Sequence, residues 1–193
     1  VKEVSWTGNR VHVKTTNGEF NSKKLLITVS NGILCSNQIK FLPELPEYKI
    51  TAIRNLPMAT LNKVCLCFRD RTFQKNQEGW YVVCSGNSDT LISSVLSFEI
   101  RRSPENHMII FFGGKEAKEL ELSPKKVLKR IKLMLSNTFG YDILGCITKS
   151  ITSSWGLDQY SLGSYSYALP GKHKDRDLLK KNIEDTLFFA GEA

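Results

Sequence analysis

The sequence predicts an α+β fold in which a mixed β-sheet is flanked by helices and is entered and left through shorter strand segments. Three observations predict it. Val4, Trp6, Val11, Val13 and Thr15 alternate around turns at Thr7-Gly8-Asn9 and Asn17-Gly18, the pattern of a strand meander. The central block mixes apolar, β-rich runs with one long stretch of lysine-faced helical periodicity. The last stretch, Leu187 to Ala193, is an apolar run that closes on Ala190-Gly191-Glu192, and it reads as a strand buried on both faces.

The elements follow in order. Leu25 to Val29 is a more fully apolar strand, ended by Ser30-Asn31-Gly32. Ile39 to Pro46 is extended and proline-punctuated, which suggests a domain crossing. Pro46 suits the start of a helix from about Glu47 to Asn55, with Ile50 and Ile53 on its apolar face. Leu61 to Phe68, Trp80 to Val83, Leu91 to Phe98 and Met108 to Phe112 read as strands. Ser123 is a good N-cap and Pro124 a good first helical residue for a helix to about Asn137. That helix sets Val127, Leu128, Ile131, Met134 and Leu135 on one face and its lysines on the other. Residues 143–155 suggest another strand. Gly156 to Tyr167 is rich in Tyr, Ser and Gly without periodicity, the composition of a functional loop.

Composition narrows the class. The 193 residues are 41% hydrophobic and 24% charged, as in a globular domain with a real core. No apolar run reaches the roughly 18 residues that span a membrane, and Val1-Lys2-Glu3-Val4 has no signal-peptide layout. An intracellular, cytoplasmic location is expected, with the nucleus left open. The net charge of +8 raises nucleic acid as a partner. No recognition helix, RNA-binding aromatic motif or cysteine-histidine finger accompanies it, so a lysine-rich solvated surface is the preferred reading. The five cysteines form no metal-ligand array and are expected as buried free thiols, Cys65 and Cys67 sharing one strand face. A chain that begins inside an alternating pattern and stops on an uncapped strand is expected to be a piece of a longer protein.

Three features carry chemistry. Lys63 stands near the start of a mostly apolar strand, either at a wet edge or in a pocket. In a pocket, desolvation lowers the ammonium pKa, and the lysine could hold a water or handle a proton. Gly191 allows close approach to the backbone. The carboxylate of Glu192 wants a hydroxyl, an amide or a helix terminus. The bland alternative for this end is an ordinary core strand with a ragged terminus. There is no Gly-x-Ser-x-Gly elbow, phosphate loop or Gly-x-Gly-x-x-Gly fingerprint, and His12, His107 and His173 have no metal or triad spacing. Such a set suits a site where a large planar cofactor supplies the chemistry.

In that order the motifs resemble the C-terminal part of a flavin-containing amine oxidase, the family of monoamine oxidases, polyamine oxidases and lysine-specific histone demethylases. Leu26-Ile27-Thr28-Val29-Ser30-Asn31-Gly32-Ile33-Leu34 resembles its "vivTvPlgvL" segment. Ile39-Lys40-Phe41 through Leu45-Pro46, with Lys49, Ala52 and Ile53, resembles its "I-x-F-x-P-x-L-P…K…A-I" stretch. Leu61-Asn62-Lys63-Val64 with Phe68 resembles the strand carrying the site lysine. Trp155 with Asp158, Gly163-Ser164-Tyr165, and Phe189 to Ala193 complete the series.

The resemblance implies FAD as cofactor and a small-molecule amine as substrate. It implies a mixed-sheet substrate-binding domain over 39–150. Residues 1–38 and 151–193 become partial segments of an FAD-binding, glutathione-reductase-like Rossmann domain. It assigns Lys63 to a water near flavin N5, and Gly191 and Glu192 to the ribityl–pyrophosphate region. Trp155 is assigned to the flavin ring, Val1 and Val29 to the adenine side, and Tyr165 to the substrate. The implied reaction passes a hydride equivalent from an amine carbon to flavin, giving an imine, with oxygen reduced to hydrogen peroxide. Ser30 departs from the usual proline, and Thr72-Phe73 from the usual Phe-Trp. The resemblance also places an N-terminal FAD module before Val1 and further site residues after Ala193, so the 193-residue chain alone is expected to be inactive. The alternatives are a non-catalytic interaction module on the same scaffold and a generic α/β binding domain. A working oxidase predicts Lys63 in a cavity beside Trp155; the other two do not require it. Nothing in the sequence sets the oligomeric state.

Overall fold

Period-two alternation builds the first ribbon. In the computed structural model, which describes residues 1–69, 71–84, 95–102 and 105–193, β1 (Glu3–Thr7), β2 (Arg10–Thr15) and β3 (Gly18–Ser22) form an antiparallel meander. Val4 pairs with Val13 and Trp6 with Val11, and all four are buried on one face. β4 (Leu25–Ile27) leads into the short helix α1 (Asn31–Cys35). β5 (Lys40–Leu42) then returns beside β1 in parallel. α2 (Glu47–Asn55) and β6 (Met58–Ala59) finish this stretch.

The chain then builds a separate unit over Thr60–Ser154. Its strands are β7 (Leu61–Phe68), β8 (Gly79–Cys84), β9 (Val95–Arg101) and β10 (His107–Gly113). The helices α3 (Gly114–Leu122) and α4 (Pro124–Phe139) follow, then β11 (Ile147–Thr152). The sheet runs β11-β7-β10-β9-β8, and every pairing in it is antiparallel. One face carries Val64, Leu66, Phe68, Ile100, Met108, Ile110 and Phe112, and packs on Ala117 and Leu120 of α3 and on Val127, Ile131 and Leu135 of α4. The side chains between them, Lys63, Cys65 and Cys67 on β7 and Ile109 and Phe111 on β10, turn to the opposite face. An antiparallel sheet tolerates this asymmetry because one packed face suffices to hold it.

The return segment, Trp155–Ala193, completes the first unit with β12 (Tyr165–Ser166), α5 (Asp175–Lys180) and β13 (Leu187–Phe189). β12 pairs with β6, and β13 lies parallel to β4. Val4, Trp6, Val11, Ile27, Ala52, Ile53, Leu56, Leu179, Leu187 and Phe189 form the core. At its centre is a charge. Lys49 of α2 is fully buried, and its Nζ donates to the carbonyls of Leu178 (3.0 Å), Leu179 (2.7 Å) and Lys181 at the end of α5. The last carbonyls of a helix lack intrahelical partners, so the ammonium caps what would otherwise be buried and unpaired. It also lies 4.1 Å from the ring centroid of Phe189. At its other end α5 is tied to α2 by Asn55 Nδ2, which donates to Asp175 Oδ2 at 2.6 Å.

Several expectations change. The first crossing moves from residue 39 to Thr60, because residues 39–59 add β5 to β1 and bury Ala52, Ile53 and Leu56 in the first core. The sheet over the central block is antiparallel, since the meander β8-β9-β10 returns on itself; the mixed sheet is the four-stranded β3-β2-β1-β5. Of the strand expected from Leu91 to Phe98, residues 91–94 lie outside the described residues. The final strand is buried at Leu187 and Phe189 but half-exposed at Phe188, whose ring lies under Lys24. Ser30-Asn31-Gly32, expected only to end the preceding strand, also opens α1: Ser30 Oγ accepts from Ile33 N. Cys35 is exposed, and Cys65, Cys67 and Cys146 are half-buried free thiols. Among the described residues, no Rossmann βαβ unit stands beside the β4–β13 pair, and no helix is long and apolar enough to cross a membrane.

Burial, and after it the positive charge of Lys181, push the Lys49 ammonium down to about 8 despite its three carbonyls. An unfolded lysine titrates near 10.4, so between about pH 8 and that value the unfolded chain binds the extra proton and Lys49 makes stability rise with pH. Thermal unfolding of wild type and Lys49→Met from pH 7 to 10.5 should show this rise in wild type alone. Parallel curves would refute it.

Candidate functional site

The end of β13 opens onto a cleft of about 490 Å³ within the first unit. Its walls are the end of β4 and the start of α1 (Val29, Ser30, Asn31), the face of α5 bearing Arg176 and Lys180, and Ala190 to Ala193. A Cβ built on Gly191 would meet no atom within 4 Å, so the backbone there is open to approach. Glu192 receives the two groups its carboxylate calls for, and both come from Ser166. The Ser166 amide donates to Oε1 at 3.0 Å and to Oε2 at 2.9 Å, and its hydroxyl donates to Oε2 at 3.2 Å. Arg176 grips the same serine from behind, Nη1 donating to Oγ at 3.2 Å and Nη2 to the carbonyl at 3.3 Å. A bidentate fork of this kind fixes direction as well as distance.

Local structure explains why Ser166 is there. β12 is held to β6 by the pairing of Ser166 with Met58, and Ser164 N donates to Ala59 O at 2.9 Å. Gly163 just before it has φ +148°, and a Cβ there would sit 2.4 Å from Met58 Cβ. Its amide donates to the Trp155 carbonyl at 2.9 Å. Ser30, which stands where the family resemblance implies proline, does work that proline cannot: its hydroxyl caps α1 and donates to Ser161 O.

The cleft gathers Val29, Gly191 and Glu192, but not the other residues expected with them. Val1 is exposed at the start of the ribbon. Trp155 is 46% exposed and does not line the cleft. Tyr165 alternates with Ser166 on β12, so as Ser166 turns inward Tyr165 turns out and is equally exposed.

Lys63 belongs to the second unit. It is at neither a sheet edge nor an apolar pocket: β7 lies between β11 and β10, and the side chain is exposed on the sheet's open face. Its Nζ lies 5.3 Å from the ring centroid of its cross-strand partner Phe111, against which Trp80 stacks at 5.1 Å. Beneath it the backbone is fixed by a polar cluster. Ser153 Oγ accepts from Lys63 N (2.8 Å) and donates to Asn62 Oδ1 (3.0 Å), and Asn62 Nδ2 donates to Glu121 Oε1 (2.7 Å). Asn62 is fully buried.

Comparison with known proteins gives this arrangement a lineage. Residues 1–193 match the family described as flavin containing amine oxidoreductase. The chain belongs to that family. Polyamine oxidase 4 of Oryza sativa subsp. japonica is 34% identical over 200 residues, covering all of this chain and 39% of that protein. Lysine-specific histone demethylase 1 homolog 3 of Arabidopsis thaliana is 32% identical over 200 residues, again all of this chain but 12% of that protein. A redesigned putrescine oxidase superposes with a TM-score of 0.75 at 13% identity over 98% of this chain and 42% of its own. Cyclohexylamine oxidase from Brevibacterium oxydans gives 0.69 at 16% identity over 98% and 41%. These two likenesses establish a shared fold. The chain spans well under half the length of these relatives.

Ser166, which holds Glu192, and Arg176, which lines the cleft, were not singled out from sequence. Ser166 lies inside the Tyr/Ser/Gly loop that composition did flag. Arg176 sits in a charged connector with no periodicity, and only the placement of α5 gives it a direction.

Gly163→Ala would force both a disfavoured φ and a clash with Met58. It should destabilise the protein by at least about 1–3 kcal/mol, read as a lowered urea midpoint. An unchanged midpoint would mean that the loop relaxes freely.

Proposed function

We propose that this chain is the portion of an FAD-dependent amine oxidase that supplies one wall of the flavin site together with the sheet that carries the site lysine. The observation that carries the reading is the cleft at the end of β13, where Gly191 and Glu192 stand beside Val29 within a stretch matched to the family from end to end. The residues present suit part of a dinucleotide. Glu192 offers carboxylate oxygens to sugar hydroxyls, Lys180 offers positive charge to a diphosphate, and Gly191 leaves the backbone accessible. When bound, a flavin supplies an acceptor for the hydride equivalent of an amine C–H bond and returns the electrons to oxygen as hydrogen peroxide, leaving an imine.

The chain's own residues would then divide the work. The Lys63 ammonium, braced at its backbone by Ser153, holds a water or hands a proton from Nζ to the reduced oxygen. Phe111 and Trp80 stack on the sheet face beside it. Trp155 and Tyr165, both exposed in the first unit, are assigned to the flavin ring and the substrate, and Val1 with Val29 to the adenine side. Residues 1–38 and 155–193 are assigned to the flavin domain, with 39–59 added because they share its core and 151–154 left to the second unit, where β11 ends. The substrate class is an amine. Two of the relatives are named for polyamines and for histone lysine, while the net charge of +8 argues mildly against a long polycation. The 193-residue chain contains no glycine-rich phosphate loop, so we assign the main diphosphate cradle to another part of a longer polypeptide.

Two measurements test this. Flavin fluorescence anisotropy should show no stoichiometric FAD binding by the 193-residue chain and tight binding by a longer polypeptide containing it; tight binding by the short chain would contradict the assignment. In that longer protein, Lys63→Met should slow flavin reoxidation by oxygen about a hundredfold while anaerobic reduction by amine is spared. Equal reoxidation rates in stopped flow would remove Lys63 from the chemistry.

A further inference from the structure

We infer that Arg176 is a positioning residue for Glu192, acting through Ser166. The inference rests on the flavin-site reading above, and it concerns how the carboxylate is aimed.

A glutamate at an exposed strand end has several rotamers open to it, and Glu192 is on the surface. What holds it is Ser166, which is only 6% exposed and gives it both an amide and a hydroxyl proton. A serine hydroxyl has one proton and two lone pairs, and its rotor is free unless something occupies a lone pair. Arg176 Nη1 donates into that oxygen at 3.2 Å while Nη2 holds the carbonyl of the same residue. With one lone pair taken, the hydroxyl proton is directed away from the guanidinium and toward Glu192.

The arginine is itself well anchored. It lies on α5, whose first residue is bound by Asn55 and whose last carbonyls are bound by Lys49. Among the described residues Arg176 makes no direct ion pair. The guanidinium therefore reaches Glu192 only through Ser166, without a direct contact that would consume the carboxylate's acceptors. Oε2 takes two hydrogen bonds from Ser166 and Oε1 takes one. A carboxylate oxygen accepts about two, so Oε1 keeps an acceptor position for a ligand hydroxyl. The class of group recognised is the hydroxyl of a sugar or sugar alcohol.

The test is a double-mutant cycle in the full-length flavoprotein stripped of flavin, with FAD affinity read by fluorescence titration in wild type, Arg176→Met, Glu192→Gln and the double variant. Arg176→Met should weaken FAD about tenfold, and Arg176→Lys should recover part of that loss because one of the two acceptors can still be reached. In the Glu192→Gln background the same arginine change should cost less than about twofold, since the group it aims is already gone. Equal losses in both backgrounds, or no loss in either, would overturn the inference. The cycle is also read as thermal unfolding of the flavin-free proteins. Coupling there, with no flavin affinity in wild type, would overturn the flavin reading and leave the Arg176–Glu192 link standing. Absence of coupling there would overturn the link itself.

Discussion

A buried ammonium organises the first unit. Lys49 reaches from α2 into the carbonyl end of α5, and no apolar side chain could take its place without leaving three acceptors facing the core. The consequence runs outward along a short path. Because α5 cannot turn, Arg176 faces Ser166; because Ser166 is held between Arg176 and β6, Glu192 has a fixed partner at the mouth of the cleft. α1 is drawn into the same assembly. Asn31 is buried and its amide donates to the carbonyls of Ile53 and Leu56, so the end of α2 is capped by the helix that walls the cleft.

The second unit rests on a different device. Its antiparallel sheet has one face committed to α3 and α4, and period-two geometry then assigns every remaining side chain of β7 to the opposite face. Lys63 is placed by that arithmetic, with the ring of Phe111 as its cross-strand neighbour. Asn62 is the exception on the packed face, a fully buried polar residue satisfied by Glu121 and Ser153. It ties β7 both to α3 and to the segment after β11 at the level of the lysine.

Much of this was legible in the sequence. Pattern and capping residues located the meander, α2 and α4, and the order of motifs from Leu26 to Ala193 identified the family. What escaped was long-range. Lys49 sits in a helix whose pattern marks Ile50 and Ile53, and nothing local says that its ammonium will meet carbonyls some 130 residues on. The crossing at Thr60 was missed because Pro43 and Pro46 punctuate the chain without ending the unit. Ser123 has the composition of a cap yet makes no side-chain cap bond, its backbone being in a different conformation. The neighbours of Glu192 were predictable as chemical types and not as residues, since they depend on where α5 and β12 come to lie.

The division of the chain also sets an order of events. The second unit is continuous in sequence, whereas the first is assembled from 1–59 and 155–193. On a ribosome the later unit can therefore be complete while the earlier one is still half-made. Until residues 155–193 emerge, β4 lacks the strand it pairs with among the described residues and the Lys49 ammonium lacks its acceptors. The nascent first segment must wait with an apolar strand and a charged core position both unsatisfied. Closing such distant contacts is slow, so this unit is expected to become native after the second.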